Sequence, residues 1–218
     1  MSDVRALVVA KAPVAGQVKT RLAVHVGARA AAEVAASALL DTIASCEAAF
    51  GARACLLALA GDLSEAVRGE EIGEALEGWA VRPQRGPGFA ERLANAHADL
   101  PAGPPVVQIG MDTPQVRPED LRAVAVALRD HEAVLGPAED GGWWVLGLRD
   151  PSAATLLRDV SMSAPTTYDE TRAALIGGGL TVGTARTMRD VDDAADARAV
   201  AGLAAAGEFA RTWRAVAP

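Results

Sequence analysis

The chain holds little of what most often marks a site: two cysteines, three histidines and two lysines among 218 residues. Cys46 ends an alanine-rich helical stretch and Cys55 sits in an apolar strand-like run, with no metal-ligand spacing between them. Both read as small buried hydrophobes of a reducing compartment. His25, His97 and His131 are scattered and share no zinc-like spacing. The longest apolar runs, residues 54–60 and 123–128, fall far short of the roughly 18 residues of a membrane helix. The first residues start a strand-like segment without the basic flank, apolar stretch and cleavage site of a signal peptide. The expected location is therefore cytoplasmic, with no membrane partner. Twenty-one basic residues against 28 acidic ones give a net charge of −7 and a pI near 5.0. That excludes a nucleic-acid binder held by general electrostatics but leaves room for a local basic pocket. Of the 21 basic residues 19 are arginines, and the two lysines, Lys11 and Lys19, fall close together.

What is present is a globular composition, 50% hydrophobic and 22% charged, of single-domain size. Residues 4–10 are apolar without polar alternation, which predicts a strand buried on both faces. A helix is predicted over 28–50, with Val34, Ala35, Ala38, Leu39 and Ile43 on one face and Gly51 as its stop. Further strands are predicted over 53–60, 79–82, 106–110, 133–136, 143–148 and 180–185. Helices are predicted over 63–76, 89–100, 118–130 and 165–175, and from 194 onward. The alternation implies one three-layer α/β/α domain over residues 1–218, Rossmann-like, with a mostly parallel sheet that becomes mixed in its second half. No repeat, low-complexity segment or linker divides it. Ligands of such sheets bind beyond the carboxyl ends of the strands, so the loops there carry the chemistry.

Four of those loops stand out. Residues 11–22 place Lys11, Gly16, Lys19, Thr20 and Arg21 between a buried strand and a helix. Helix-start amides and fixed positive side chains suit a polyphosphate, although the P-loop spacing is absent and a merely solvated basic loop fits equally. Asp112 and Thr113 follow the strand over 106–110. An aspartate there is costly unless solvated or paired with a cation, and a divalent ion bridging it to phosphate is one reading; a turn or cap is the other. Residues 136–144 contain Glu139, Asp140, Gly141, Gly142, Trp143 and Trp144. They suit either close backbone approach to a ligand with aromatic stacking or a plain hairpin turn. Asp190 and Asp192, two apart in extended chain, can face one side and share a cation with Asp112, or serve as acids ahead of a helix.

Together the four segments resemble a known pattern. A-K-A-P-V-A-G-Q-V-K-T-R-L, G-M-D-T-P, G-P-A-E-D-G-G-W-W-V-L-G-L and R-D-V-D are similar to a bacterial family of GT-A-like transferases, the rSAM/selenodomain-associated transferases, or glycosyltransferases of arsenosugar-type pathways. The similarity runs from about residue 4 to residue 198, and E-D-G-G is its most specific part. More distantly, V-K-T-R-L and D-V-D resemble phospholactate and phosphoenolpyruvate guanylyltransferases, and D-T-P resembles molybdenum-cofactor nucleotidyltransferases. The chain departs from the pattern in three places. Residues 84–92 read Q-R-G-P-G-F-A-E-R where an aspartate and leucine usually precede the glycine. Met111 precedes Asp112 in place of a small polar residue, and Ala194 and Ala195 replace a Pro-Glu pair.

The resemblance implies a nucleotide-diphospho-sugar transferase (GT-A) fold, with a nucleotide-binding half over about 1–115 and an acceptor and metal half over about 116–218. It implies Mg²⁺ or Mn²⁺ on Asp112, Asp190 and Asp192. The nucleotide would lie against Ala10, Lys11, Ala12, Gly16, Lys19, Thr20, Arg21 and Thr113. An acceptor would lie against Glu139, Asp140, Gly141, Gly142 and Trp143, with Lys19, Arg21 and Asp140 catalytic. The expected partners are a nucleotide or nucleotide sugar, a small-molecule acceptor and a second copy in a homodimer. Glycosyl transfer is favoured slightly over nucleotidyl transfer to a phosphate or carboxylate acceptor; a non-catalytic nucleotide-binding module is the reading from a different class.

Overall fold

β1 (Arg5–Lys11) lies deep inside the molecule, paired in parallel with β2 (Cys55–Ala60) on one side and β4 (Val106–Gly110) on the other. Helices cover both of its faces, so residues 6–10 are all buried and a polar alternation would have no water to meet. The computed structural model describes residues 4–203 and 206–217. The other strands are β3 (Ala80–Pro83), β5 (Ala133–Pro137), β6 (Trp143–Leu148) and β7 (Val182–Thr184). They form a seven-stranded sheet of order β3-β2-β1-β4-β6-β5-β7. β6 runs antiparallel to both β4 and β5, and the remaining pairs are parallel. The mostly parallel mixed sheet is thus as expected, its mixing confined to one strand.

The helices are α1 (Thr20–Val26), α2 (Ala28–Phe50), α3 (Gly69–Ala75), α4 (Phe89–Ala98), α5 (Pro118–Ala127), α6 (Thr167–Gly177), α7 (Ala194–Leu203) and α8 (Glu208–Val216). α2 is buried on two sides. Ala35, Leu39 and Ile43 pack into the core of the sheet, while Val34 and Ala38 pack against Phe209 and Trp213 of α8. Its alanines permit that double contact, since a small side chain lets neighbours approach from both directions. Asp41 on α2 accepts from the Glu208 and Phe209 amides, each at 2.9 Å, which supplies partners for the N-terminal donors of α8. On the opposite face of the sheet, Leu93 and Leu175 join Leu7, Leu135 and Leu146 in a separate core.

Several boundaries differ from expectation. The helix over 63–76 is broken: Leu63–Glu65 makes a 3₁₀ turn, Arg68 is left-handed at φ 55°, and α3 starts at Gly69. A Cβ on Gly69 would lie 2.0 Å from the Leu63 carbonyl oxygen, so the chain doubles back where only glycine fits. β2 begins at Cys55 because Ala52–Ala54 forms another 3₁₀ turn. The strand over 180–185 contracts to β7, paired only with β5. No helix among the described residues is long and apolar enough to cross a membrane.

Gly136 on β5 marks a tight junction beside the site. A Cβ there would lie 2.5 Å from Trp144 Nε1 and 2.6 Å from Val145 Cγ1, and Trp144 Nε1 donates to the Arg186 carbonyl at 2.8 Å. Gly136→Ala is expected to lower stability by about 1–3 kcal/mol in chemical denaturation. An unchanged midpoint would contradict the packing.

Candidate functional site

Three chain segments meet beyond the carboxyl ends of β1 and β4. The loop after β1 bends at exposed Gly16, whose φ of 80° is in the left-handed region, and returns to Lys19 at the start of α1. β4 ends at Gly110 and delivers Met111, Asp112 and Thr113. The third segment is extended chain from Met188: its amide donates to the Pro137 carbonyl at 3.1 Å, and its carbonyl accepts from the Glu139 amide at 3.0 Å. The Val191 amide then donates to the Asp112 carbonyl at 2.8 Å. That bond draws Asp190 and Asp192, on either side of Val191, up to Asp112.

Lys19 adopts the left-handed conformation, φ 47° and ψ 46°, which costs a non-glycine residue on the order of 1–3 kcal/mol. The strain aims its side chain inward, where it is 8% exposed. Its ammonium contacts Asp112 and lies 3.5 Å from Asp192 Oδ1, while Arg21 Nη1 reaches Asp192 Oδ2 at 3.0 Å. Burial opposes the ammonium's charge, but Asp112, then Asp192 and Asp190, outweigh it and hold its pKa above the usual lysine value. Asp190 shows the converse. Burial, followed by the charges of Asp140, Asp192 and Asp112, pushes its carboxyl up to about 6. The acids exceed the cation that faces them.

Two cavities adjoin at Asp112. The first, about 330 Å³, is lined by Lys11, Lys19, Thr20, Arg21, Asp112 and Asp192, together with Gln17, Val18, Ala35 and Met111. The second, about 200 Å³, is lined by Asp112, Thr113, Asp140, Gly142, Trp143 and Asp190, with Gln108, Gly110, Phe89, Met162, Ser163 and Thr167 among its other walls. The residues singled out in the sequence are therefore divided between two chambers. Thr113 lines only the second, whereas Asp112, in the bend that follows β4, lines both. Ala10 and Ala12 are core residues and line neither cavity. Glu139 is also outside both, taken up by Arg189 with Nε at 2.7 Å. Gly141, at φ 91°, packs against the Pro165 carbonyl, which a Cβ would approach to 2.1 Å. The turn over 138–142 is both a hairpin and a wall: Asp140 Oδ1 accepts the Gly142 amide at 2.8 Å while both residues face the second cavity. Lys11 is exposed, with its ammonium on the Gln17 carbonyl at 2.9 Å.

The donor set fits a hard divalent cation. Among the described residues no group of three or more His, Cys, Asp or Glu side chains could hold a metal ion. Mg²⁺, however, is commonly held by one or two carboxylates, with phosphate and water in the other positions. Asp112 and the charge-stressed Asp190 match that pattern, and both face the second cavity.

A family profile described as an uncharacterized protein conserved in bacteria (DUF2064) matches residues 39–164. The chain belongs to that family. The DUF2064 match includes Asp112 and Asp140 but ends before Asp190, and it begins after Lys19. No curated protein matches the sequence. Among solved structures, a protein of Desulfovibrio desulfuricans G20 whose description proposes a nucleotide-diphospho-sugar transferase is 23% identical. Its TM-score is 0.81, over 99% of this chain and 97% of that one. Rv0371C of Mycobacterium tuberculosis H37Rv, in a complex with manganese, is 19% identical with a TM-score of 0.52, over 92% and 98%. A CMP:2-keto-3-deoxy-manno-octonic acid synthetase complexed with CTP is 16% identical with a TM-score of 0.53, again over 92% and 98%. The DUF2064 chain thus has the α/β fold of nucleotide-diphospho-sugar transferases and cytidylyltransferases. The narrower resemblance to selenodomain-associated transferases is not carried by these matches.

The two lysines of the first cavity differ in kind, one buried on carboxylates and one exposed. Lys19→Ala is expected to weaken binding of Mn²⁺ with UDP or GDP by about tenfold or more, ~1.4 kcal/mol, and Lys11→Ala by less. Calorimetric titration of both variants checks this, and equal losses would remove Lys19 as the anchor.

Proposed function

We propose that this chain is a divalent-metal-dependent transferase that moves a glycosyl group from a nucleoside diphosphate sugar to a hydroxyl of an uncharged small-molecule acceptor. The observation that carries this reading is the division of charge between the cavities. The first gathers three cations, Lys11, Lys19 and Arg21, against two carboxylates, Asp112 and Asp192. The second presents Asp112, Asp140 and Asp190 and, among its described lining residues, no lysine or arginine. A phosphate or carboxylate acceptor, as nucleotidyl transfer would use, faces like charge there without a protein counter-charge. A neutral polyhydroxylated molecule suits the same walls, because carboxylates accept from hydroxyls and the Trp143 ring offers an apolar face. Similarity to proteins described as a nucleotide-diphospho-sugar transferase and as a CTP complex supports a nucleotide as the ligand, and the cations favour the first cavity for it.

Asp112 and Asp190, with Asp192 beside them, would hold Mg²⁺ or Mn²⁺, and the ion when bound would offset charge on the donor's diphosphate. Lys19 and Arg21 balance the negative charge that gathers on the departing nucleoside diphosphate. Thr20 and the Gly16 backbone shape the loop around it. Glu139 is held away by Arg189, which leaves Asp140 as the general base. Asp140 takes the acceptor hydroxyl's proton as that oxygen bonds to the anomeric carbon. The bond from that carbon to the β-phosphate oxygen breaks, its electron pair staying on the nucleoside diphosphate.

The test is product analysis with Mn²⁺, a panel of nucleotide sugars and neutral sugar or polyol acceptors. Release of nucleoside diphosphate is expected. Asp140→Asn, which can still accept the Gly142 amide, should lower turnover by about 10²–10⁴-fold with donor affinity kept. Pyrophosphate release from a nucleoside triphosphate in the presence of a phosphorylated acceptor would reverse the assignment. Nucleotide-sugar binding with no turnover across the panel would make the chain a binding module.

A further inference from the structure

β4 runs beneath the second cavity and offers it alternate residues, Gln108 and Gly110, with Asp112 continuing the series past the strand's end. Gly110 leaves the space between the two side chains open: a Cβ there would meet nothing nearer than the Asp112 amide at 4.0 Å. Gln108 is only 2% exposed and sits between Leu7 and Leu146 in the sheet. An amide at such a position is costly unless both of its ends are satisfied. One end is. His97, 1% exposed on α4, places Nε2 2.7 Å from Gln108 Oε1. Burial pushes the His97 imidazole down to about 4, opposed only by its bond to Gln108, so the ring is neutral and carries one proton. Its Nδ1 has no partner. The proton therefore belongs on Nε2, donated to Gln108 Oε1, since the other tautomer would bury an unpaired N–H donor.

That bond settles which way the Gln108 amide faces. With Oε1 turned to His97, the NH₂ group is directed to the cavity, and among the described residues no protein acceptor takes it. Other N–H donors in the walls are spoken for: Trp143 Nε1 donates to Thr171 Oγ1 at 3.1 Å and Trp144 Nε1 to the Arg186 carbonyl. Three carboxylates can accept from hydroxyls of an occupant; in addition to the unpartnered Thr113 hydroxyl, Gln108 supplies a complementary N–H donor at the far end. Along β4 it lies four residues, about 13 Å of strand, from Asp112.

We propose that Gln108 is the specificity-determining residue of the second cavity, its amide NH₂ donating to one oxygen of a neutral sugar or polyol bound there. His97 is the positioning residue that holds the amide in that orientation. The inference rests on the reading of the second cavity as the place of an uncharged hydroxylated substrate.

The experiment uses the full chain with methyl glucopyranoside, galactopyranoside and mannopyranoside as probes, followed by saturation-transfer NMR, and then the monodeoxy analogues of whichever binds. Parallel titrations of Mn²⁺ with UDP and GDP report on the first cavity. The wild-type protein should disfavour one deoxy analogue by about ten- to hundred-fold. Gln108→Met, which keeps the side chain's shape without the amide, should bring that ratio close to one and leave nucleotide affinity unchanged; Gln108→Leu is the second variant should the first fail to fold. His97→Leu should reduce the ratio as well, and His97→Gln, which again offers an N–H to Gln108 Oε1, should restore part of it. That rescue is a response a purely structural histidine would not give. A ratio that persists in both Gln108 variants overturns the proposal. So does nucleotide binding with no glycoside bound, whereas absence of both would overturn the transferase reading itself.

Discussion

The site depends on one buried cation. Lys19 is forced into a left-handed backbone conformation and sinks its ammonium between Asp112 and Asp192. Without it, carboxylates from two distant parts of the chain would repel one another across a partly desolvated space. With it, the loop after β1 is tied to the end of β4 and to the segment ahead of α7. A lysine suits this task better than arginine, because a compact ammonium can contact two carboxylates from one point while a guanidinium needs planar room. In a chain with 19 arginines and two lysines, the position of Lys19 reflects chemistry and not composition.

The charge left over after that pairing organises the rest. Asp140 and Asp190 line the second cavity, away from the lysines, and burial, with the neighbouring carboxylates adding to it, raises the Asp190 carboxyl. Asp112 is shared by both cavities. One chamber is therefore suited to a polyanion and the other to an uncharged polyhydroxylated molecule, with the carboxylates able to hold a divalent ion at their junction. The sheet makes this arrangement available because β4 is central: its carboxyl end opens toward both layers of helices.

Much of this was legible in residue order. The apolar run of β1, the alternation of strands and helices, and the acidic and basic loops after β1 and β4 pointed to an α/β fold and to loops that line its two adjoining cavities. What could not be read depended on partners far away in sequence. Glu139 looked available until Arg189, fifty residues on, claimed it. Thr113, expected beside Lys11 and Lys19, lines only the second chamber. The break ahead of α3 rests on a close approach between Gly69 and Leu63 that no periodicity encodes. Gln108 did leave a signal, a lone polar side chain in the apolar strand Val106–Gly110. It was absorbed into the strand because its meaning depends on His97 across the packing interface.

The most direct test of the central claim, two differently charged chambers meeting at Asp112, is paramagnetic relaxation by Mn²⁺ in a complex holding UDP and a neutral methyl glycoside together. The account predicts that Mn²⁺ broadens both the ³¹P signals of the nucleotide and the ¹H signals of the glycoside, and that Asp112→Asn abolishes both effects. Broadening of the nucleotide alone, or of a second ligand only when it is phosphorylated, would contradict it.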